Sequence, residues 1–347
     1  MSRRTVKILL LSAFTVFFLA AGGYFIYVKK PEFKNILVIG WDGTSRDRLE
    51  ELLANGELPA LQSVIKTGSF VAIDISQGAT TTKPGWAQIF SGYRTQLLQV
   101  KNNRVYDTIP ENFTIFEKLK SFFGSNEIVT FFISGKAANV GARGPHKICI
   151  NCISRSTENR ESTAWYDEKT TAPTANKKPR RFVVRNGEPF FHAAKTMNLF
   201  VDKLGGGETV LEKAFETLDL YKDKKFFGFV HFRDPDERGH VYGENSKEYL
   251  DGIRENDVFL QRLIDFLQSR KLDNTLVFIV SDHGMDPNSN ENFRAPATFL
   301  VANIKNLRKK GDRMDVAPTI YDLYGFDPDK FEPKLSGRSL FYGSEFK

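Results

Sequence analysis

Residues 35–44, NILVIGWDGT, decide how this chain is read. Ile36, Leu37, Val38 and Ile39 form an apolar run that stops at Gly40, and Trp41-Asp42-Gly43 follows. A short apolar run bounded by turn residues predicts a buried parallel strand whose C-terminal end presents a carboxylate. In open α/β sheets, ligands sit just beyond that edge. Residues 275–280, TLVFIV, repeat the form and run into Ser281-Asp282-His283-Gly284-Met285. Strands ending in Asp-Gly and Asp-His-Gly predict two walls of one site. The plain alternative is that each aspartate caps a following helix; Asp282-His283 is harder to explain that way than Asp42.

Outward from these strands, helical spacing of apolar residues predicts helices over residues 45–54, 59–65, 113–122, 209–218, 249–269 and 316–324. Strands are predicted over 70–75, 128–133, 225–230 and 297–301. This alternation implies an α/β fold, with a mainly parallel central sheet and helices on both faces. Residues 134–190 are rich in Gly, Asn, Lys, Thr and Pro. They read as the irregular part of an insertion, about 134–200, lying over the site. Residues 35–347 are thereby expected to form one catalytic domain.

The chain has 347 residues and a formal net charge of +7, with 26% charged and 41% hydrophobic residues. That composition is globular and long enough for a large core. The positive balance suits anionic substrates or lipid, but no nucleic-acid-binding module is evident around clusters such as Lys177-Lys178-Pro179-Arg180-Arg181. Arg3, Arg4 and Lys7 precede an uncharged run over residues 8–28, followed by Lys29 and Lys30. A run near 20 apolar residues is long enough to cross a bilayer. Residues 1–34 are therefore expected to be a signal-anchor, a single transmembrane helix with a tether. The membrane would then be a partner and the catalytic body extracytoplasmic. The only cysteines, Cys149 and Cys152, read first as a small-loop disulfide, with half a zinc site near His146 as the alternative.

The chemistry-bearing residues cluster at predicted strand ends. Asp42, Asp236 with His240, and Asp282 with His283 each follow a strand. Residues 78–86, GATTTKPGW, put hydroxyls ahead of a proline and an apolar segment, as at a helix N-terminus. There Thr82 is either a plain cap or a nucleophile placed where helix N–H groups favour a phosphate or sulfate. Carboxylates and imidazoles without thiolate suit hydrolytic Zn2+ or Mn2+, and the separated segments suit a two-metal site. Such a pair would lower the pKa of Thr82 or a water, bridge substrate oxygens and steady the leaving group. Pro235 and Gly239 predict a loop for Asp236 and His240. The bland alternatives are Asp236 paired with Arg233 or Arg238, and His240 as a satisfied polar residue.

In these pieces the chain resembles the alkaline phosphatase superfamily, with its sulfatase-like fold, and within it the type I phosphodiesterase/nucleotide pyrophosphatase branch. The resemblance runs from about residue 35 to 340 through VIGWDGTSRD, TTKPGWAQIFSGY, DPDERGHVYG, VSDHGM and DVAPTIYDLYG. It implies a metal-dependent hydrolase of phosphoric esters using a threonine nucleophile, Thr82, two before Pro84. Asp42, Thr82, Asp282 and His283 would hold one metal, and Asp236, four before His240, would hold the other with it. Two Zn2+ are implied, with Mn2+ as the alternative. This chain departs from the pattern in having no histidine after His283. Asn292 is the nearest match, with Glu291 and Asn290 as neighbours, so the second metal would be weak, harder or absent. Gly85-Trp86 stands where Asn-His is usual, and Lys83 is the cation nearest to hand for the developing charge. A phosphomonoesterase, a phosphotransferase and a degenerate metal-binding protein are the alternative functions. The substrate would be a nucleotide, a lipid head group or a glycan.

Overall fold

Alternate residues of the first strand face two separate cores. Ile36 and Val38 belong to one apolar cluster, and Leu37, Ile39 and Trp41 to the other. Such an all-apolar strand is stable only when helices cover both faces. The computed structural model describes residues 35–149 and 181–342. Its strands are β1 (Asn35–Trp41), β2 (Ser69–Asp74), β3 (Val129–Ser134), β4 (His146–Cys149), β5 (Phe182–Arg185), β6 (Leu199–Val201), β7 (Phe226–Phe232), β8 (Thr275–Val280), β9 (Ala297–Ala302) and β10 (Lys310–Gly311).

Eight of these strands form one sheet in the order β10-β2-β9-β8-β1-β7-β3-β6, and β4 pairs with β5 as a separate hairpin. β1 lies between β7 and β8 and is parallel to both; β3 is parallel to β7 and to β6. Only β9 runs against its neighbours, β2 and β8. The sheet is therefore mixed, parallel through its centre. Consequently β1, β3, β7 and β8 all end at one edge. The helices Thr82–Ile89, Ile115–Phe123 and Val316–Leu323 pack on one face. Arg46–Ala54, Pro59–Thr67, Gly207–Leu220 and Lys247–Ser269 pack on the other.

Two expectations are corrected. Among the described residues no helix is long and apolar enough to cross a membrane. The longest, Lys247–Ser269, presents Ile253, Leu260 and Leu263 to the core but carries charges such as Glu248, Arg254 and Asp265. The transmembrane helix, the membrane as partner and the single-pass extracytoplasmic location thus find no support in the fold; residues 1–34, which suggested them, lie outside the described residues. Next, residues 234–242 are not a loop but the helix Asp234–Tyr242, because Pro235 falls in the first turn, where its missing N–H costs nothing. The expected mainly parallel sheet with helices on both faces is present, β9 being its one antiparallel strand. Cys149 is disulfide-bonded, and Cys152, the chain's other cysteine, lies outside the described residues. His146 donates from Nδ1 to the Gly144 carbonyl at 2.7 Å, within its own turn.

One inter-helix contact supplies a testable measure of this packing. The N-terminus of Pro59–Thr67 has no capping side chain of its own. Asp257, from Lys247–Ser269, instead accepts from the backbone N–H of Ala60 at 3.0 Å and of Leu61 at 2.8 Å. Removing it leaves two buried donors unpaired. Asp257→Ala is expected to lower unfolding stability by about 1–3 kcal/mol in a denaturant titration, with metal uptake unchanged. An unaltered midpoint would show that the contact contributes nothing.

Candidate active site

At the shared sheet edge, Asp42 follows β1 and is fully buried. Its Oδ1 accepts from Lys136 Nζ at 2.8 Å. The Oδ2 atom meets His231 Nε2 at 2.7 Å and the Trp86 indole N–H at 3.3 Å. Burial would raise the Asp42 carboxyl, but Lys136 and the His231 hydrogen bond outweigh it and hold the group well below the usual carboxylate range. His231 lies on β7, and burial lowers its pKa despite Asp42. As a neutral imidazole it donates from Nε2 to Asp42, and its Nδ1 faces Ser134 Oγ at 2.9 Å.

Lys136 comes from the turn after β3. The ammonium reaches Asp42, bonds to Asp236 Oδ2 and stands 3.3 Å from Thr82 Oγ1. Burial would lower its pKa, but Asp236 and Asp42 raise it well above normal, so it is a fixed cation. Thr82 opens the helix Thr82–Ile89 and is 1% exposed. Its hydroxyl lies 3.3 Å from His283 Nε2. The preceding residue, Thr81, occupies the cap position, so the Thr82 side chain is not spent on capping.

The helix reaches this position through a glycine. A Cβ on Gly85 would lie 2.6 Å from Asp282 Cβ and 3.0 Å from its carbonyl oxygen. Gly43 plays the same part on the other side, with φ at +64° and the Asp236 Cβ 2.6 Å from where its own Cβ would be. Behind them, Tyr249 OH donates to the Gly43 carbonyl at 2.8 Å and accepts from the Ser45 N–H at 2.9 Å. The turn carrying Asp42 is also pinned to the β8 end, where Thr44 N–H donates to Ser281 Oγ at 3.0 Å.

Asp42, Thr82, Asp282 and His283 meet here, Asp236 adjoins them through Lys136, His240 and Asn292 sit with Asp236 in a second group, and Lys83 points elsewhere. Asp42, Asp282 and His283 present ligand atoms within 4.8 Å of one another. His283 donates from Nδ1 to the Gly284 carbonyl at 2.9 Å, which leaves Nε2 with its lone pair facing inward. That nitrogen stands 3.3 Å from Thr82 Oγ1, 3.4 Å from Asp282 Oδ2 and 3.8 Å from Asp42 Oδ1. Donors around a tetrahedral ion with bonds of about 2.0–2.2 Å lie roughly 3.3–3.6 Å apart. Asp282 Oδ2 is buried and has no hydrogen-bond partner among the described residues. Burial and then the Asp42 charge push the Asp282 carboxyl well above its usual range, and Lys136 offsets them only in part. The cluster fits a divalent metal ion.

A second group forms around Asp236, His240 and Asn292. The helix puts Asp236 and His240 one turn apart, with Nε2 of His240 3.5 Å from Asp236 Oδ1. The Asn292 amide lies 3.4 Å from the same nitrogen, and His240 Nδ1 donates to the Asn290 carbonyl at 2.7 Å. Asp236 Oδ1 is buried without a hydrogen-bond partner among the described residues. Burial would raise this carboxyl, but Lys136 and His240 hold it below normal. An ion fits poorly here, because Lys136 already claims Asp236 and the third donor is an amide.

Lys83 is buried, but its ammonium meets Asn139 Oδ1 at 2.7 Å and lies over the Tyr106 ring at 4.5 Å. The cation on the Thr82 hydroxyl is Lys136. Sequence reasoning missed Lys136 and His231. His231 had a signal, as a polar residue ending the strand beside β1. Lys136 has none, since it lies in the irregular stretch read as an insertion.

A family model described as type I phosphodiesterase/nucleotide pyrophosphatase matches residues 36–333. Bis(5'-adenosyl)-triphosphatase ENPP4 of Bos taurus is 26% identical over 252 residues, covering 72% of this chain and 47% of that protein. The chain thus spans about half the length of the curated relatives it matches. The lipoteichoic acid synthase LtaP of Listeria monocytogenes has the same fold, with a TM-score of 0.52 at 13% identity over 90% of this chain and 75% of that one. So does the phosphonate monoester hydrolase of Silicibacter pomeroyi, with a TM-score of 0.53 at 13% identity over 89% and 76%.

The packing of Gly85 against Asp282 can be tested directly. Gly85→Ala is expected to cost about 1–3 kcal/mol of stability by overpacking and to weaken metal uptake, as read by thermal denaturation and metal titration. An alanine variant with unchanged melting and uptake would contradict the close approach.

Proposed function

Because the chain belongs to the type I phosphodiesterase/nucleotide pyrophosphatase family, we propose that it is a metal-dependent hydrolase of phosphoric esters acting through Thr82. The observation that most supports this reading is the Thr82 hydroxyl itself. It is buried, starts a helix, and lies 3.3 Å from both the His283 nitrogen and the Lys136 ammonium. Residues 35–347 are read as one catalytic domain, with residues 134–200 contributing Lys136 and Asn139 above the sheet edge.

Asp42, Thr82, Asp282 and His283 would hold the ion, Zn2+ by choice with Mn2+ the alternative, which when bound lowers the Thr82 hydroxyl pKa and polarises the phosphoryl group. Thr82 Oγ gives up its proton to solvent and attacks phosphorus. The bond from Thr82 Oγ to phosphorus forms as the bond to the leaving oxygen breaks, and that oxygen takes a proton from water. Water then attacks the same phosphorus, Thr82 Oγ departs and regains a proton, and one water is consumed per ester. Lys136 donates toward Thr82 Oγ in both steps, when that oxygen is anionic before attack and again as it leaves. The cationic role read for Lys83 in the sequence passes to Lys136. His231 and Trp86 fix the Asp42 carboxylate so that it turns one oxygen toward the site.

A phosphodiester or phosphoanhydride of a nucleotide is the first substrate class to examine, following the activity that names the bovine relative. Activity on a chromogenic phosphodiester should vanish on chelation and return with Zn2+ or Mn2+. Thr82→Ala should lose on the order of 10^3-fold or more in kcat/KM, as expected when a covalent nucleophile is removed. The matching monoester should be the poorer substrate. Metal-restored activity that survives Thr82→Ala would overturn the assignment of the nucleophile.

A further inference from the structure

We infer that this chain holds a single divalent ion, and that the Lys136 ammonium stands where a second one would otherwise be needed. The inference rests on the metal-dependent reading above and concerns how charge is supplied within it. Lys136 is 5% exposed and its ammonium bonds to one carboxylate oxygen from each ligand group, Asp42 at 2.8 Å and Asp236. It also reaches the Thr82 oxygen at 3.3 Å. A cation bridging these three atoms does what a second ion does in a two-ion site. It neutralises the facing carboxylates and stabilises the attacking oxygen.

The backbone leaves Lys136 little freedom to withdraw. Its N–H donates to Ser134 Oγ at 3.1 Å and its carbonyl accepts from Lys203 at 3.0 Å. Gly135 N–H, one residue earlier, donates to the His231 carbonyl at 3.1 Å. The position thus follows from the pairing of β3 with β7 and is not a chance excursion of a long side chain.

The remaining donors are too few for a strong second ion. Asp236 is the one carboxylate of its group, and its charge is already matched by Lys136. His240 is the one imidazole, with a 40% exposed side chain. The other histidines are committed elsewhere. His231 contacts Asp42 and Ser134, and His283 faces Thr82 among the residues that would hold the first ion. His146 lies on β4, and His192 pairs with Glu111 at 3.0 Å. A dication at Asp236 would approach an ammonium across a buried site, where like charges repel strongly.

The test is a metal count on the full chain. Metal-depleted protein is titrated with Zn2+ by calorimetry, and its metal content is measured after gel filtration. The wild type should bind one equivalent. Lys136→Ala, which leaves Asp42 and Asp236 facing each other without a cation, should bind two, the second more weakly. Lys136→Gln, of similar length, replaces the alanine variant should that one fail to fold. Two equivalents in the wild type, or one in the folded variant, would overturn the inference while leaving the hydrolase reading intact. No bound metal in the wild type would remove both.

Discussion

A buried carboxylate at the end of the central strand is the constraint on which this structure turns. Asp42 has no access to water, and a buried charge without partners costs several kcal/mol. Its partners come from separate parts of the chain: Lys136 after β3, His231 on β7 and Trp86 from the Thr82–Ile89 helix. Satisfying Asp42 therefore fixes the lateral order of β3, β7 and β1 and docks the helix that presents Thr82. Fold and site share one set of interactions.

Close approach is what makes the arrangement tight enough for chemistry. Gly85 lets the Thr82 helix lie directly on Asp282, and Gly43 lets the β1 turn lie directly on Asp236. Tyr249 then locks that turn from the far face through its hydroxyl, which bonds to Gly43 and Ser45. Side chains on four strand ends and two helices are thus held by packing and by second contacts, which is how a preorganised site keeps its geometry. Two of the buried polar atoms left without hydrogen-bond partners among the described residues, Asp282 Oδ2 and Asp236 Oδ1, lie 3.4 and 3.8 Å from His283 Nε2.

Much of this was legible in the sequence because buried parallel strands announce themselves as apolar runs. The ends of β1 and β8 gave Asp42, Asp282 and His283 at once, and the Thr-Lys-Pro segment placed Thr82 at a helix start. The Asp236–His240 helix reads as a loop in the sequence because Pro235 and Gly239 are breakers in a helix interior; Pro235 in fact sits in a first turn. Lys136 was illegible for a different reason. A lysine has no periodic signature, and only the pairing of β3 with β7 carries it to Asp42. The membrane anchor rested on residues 1–34 alone, and nothing in the described fold supports it.

The edge formed by β1, β8 and the Thr82 helix is the proposed metal-bearing reaction centre. Anomalous diffraction at the zinc edge from crystals of the Zn2+-loaded protein tests it most directly. A peak bounded by Asp42, Thr82, Asp282 and His283 is expected. A peak away from these residues, or none in crystals of the loaded protein, would contradict it.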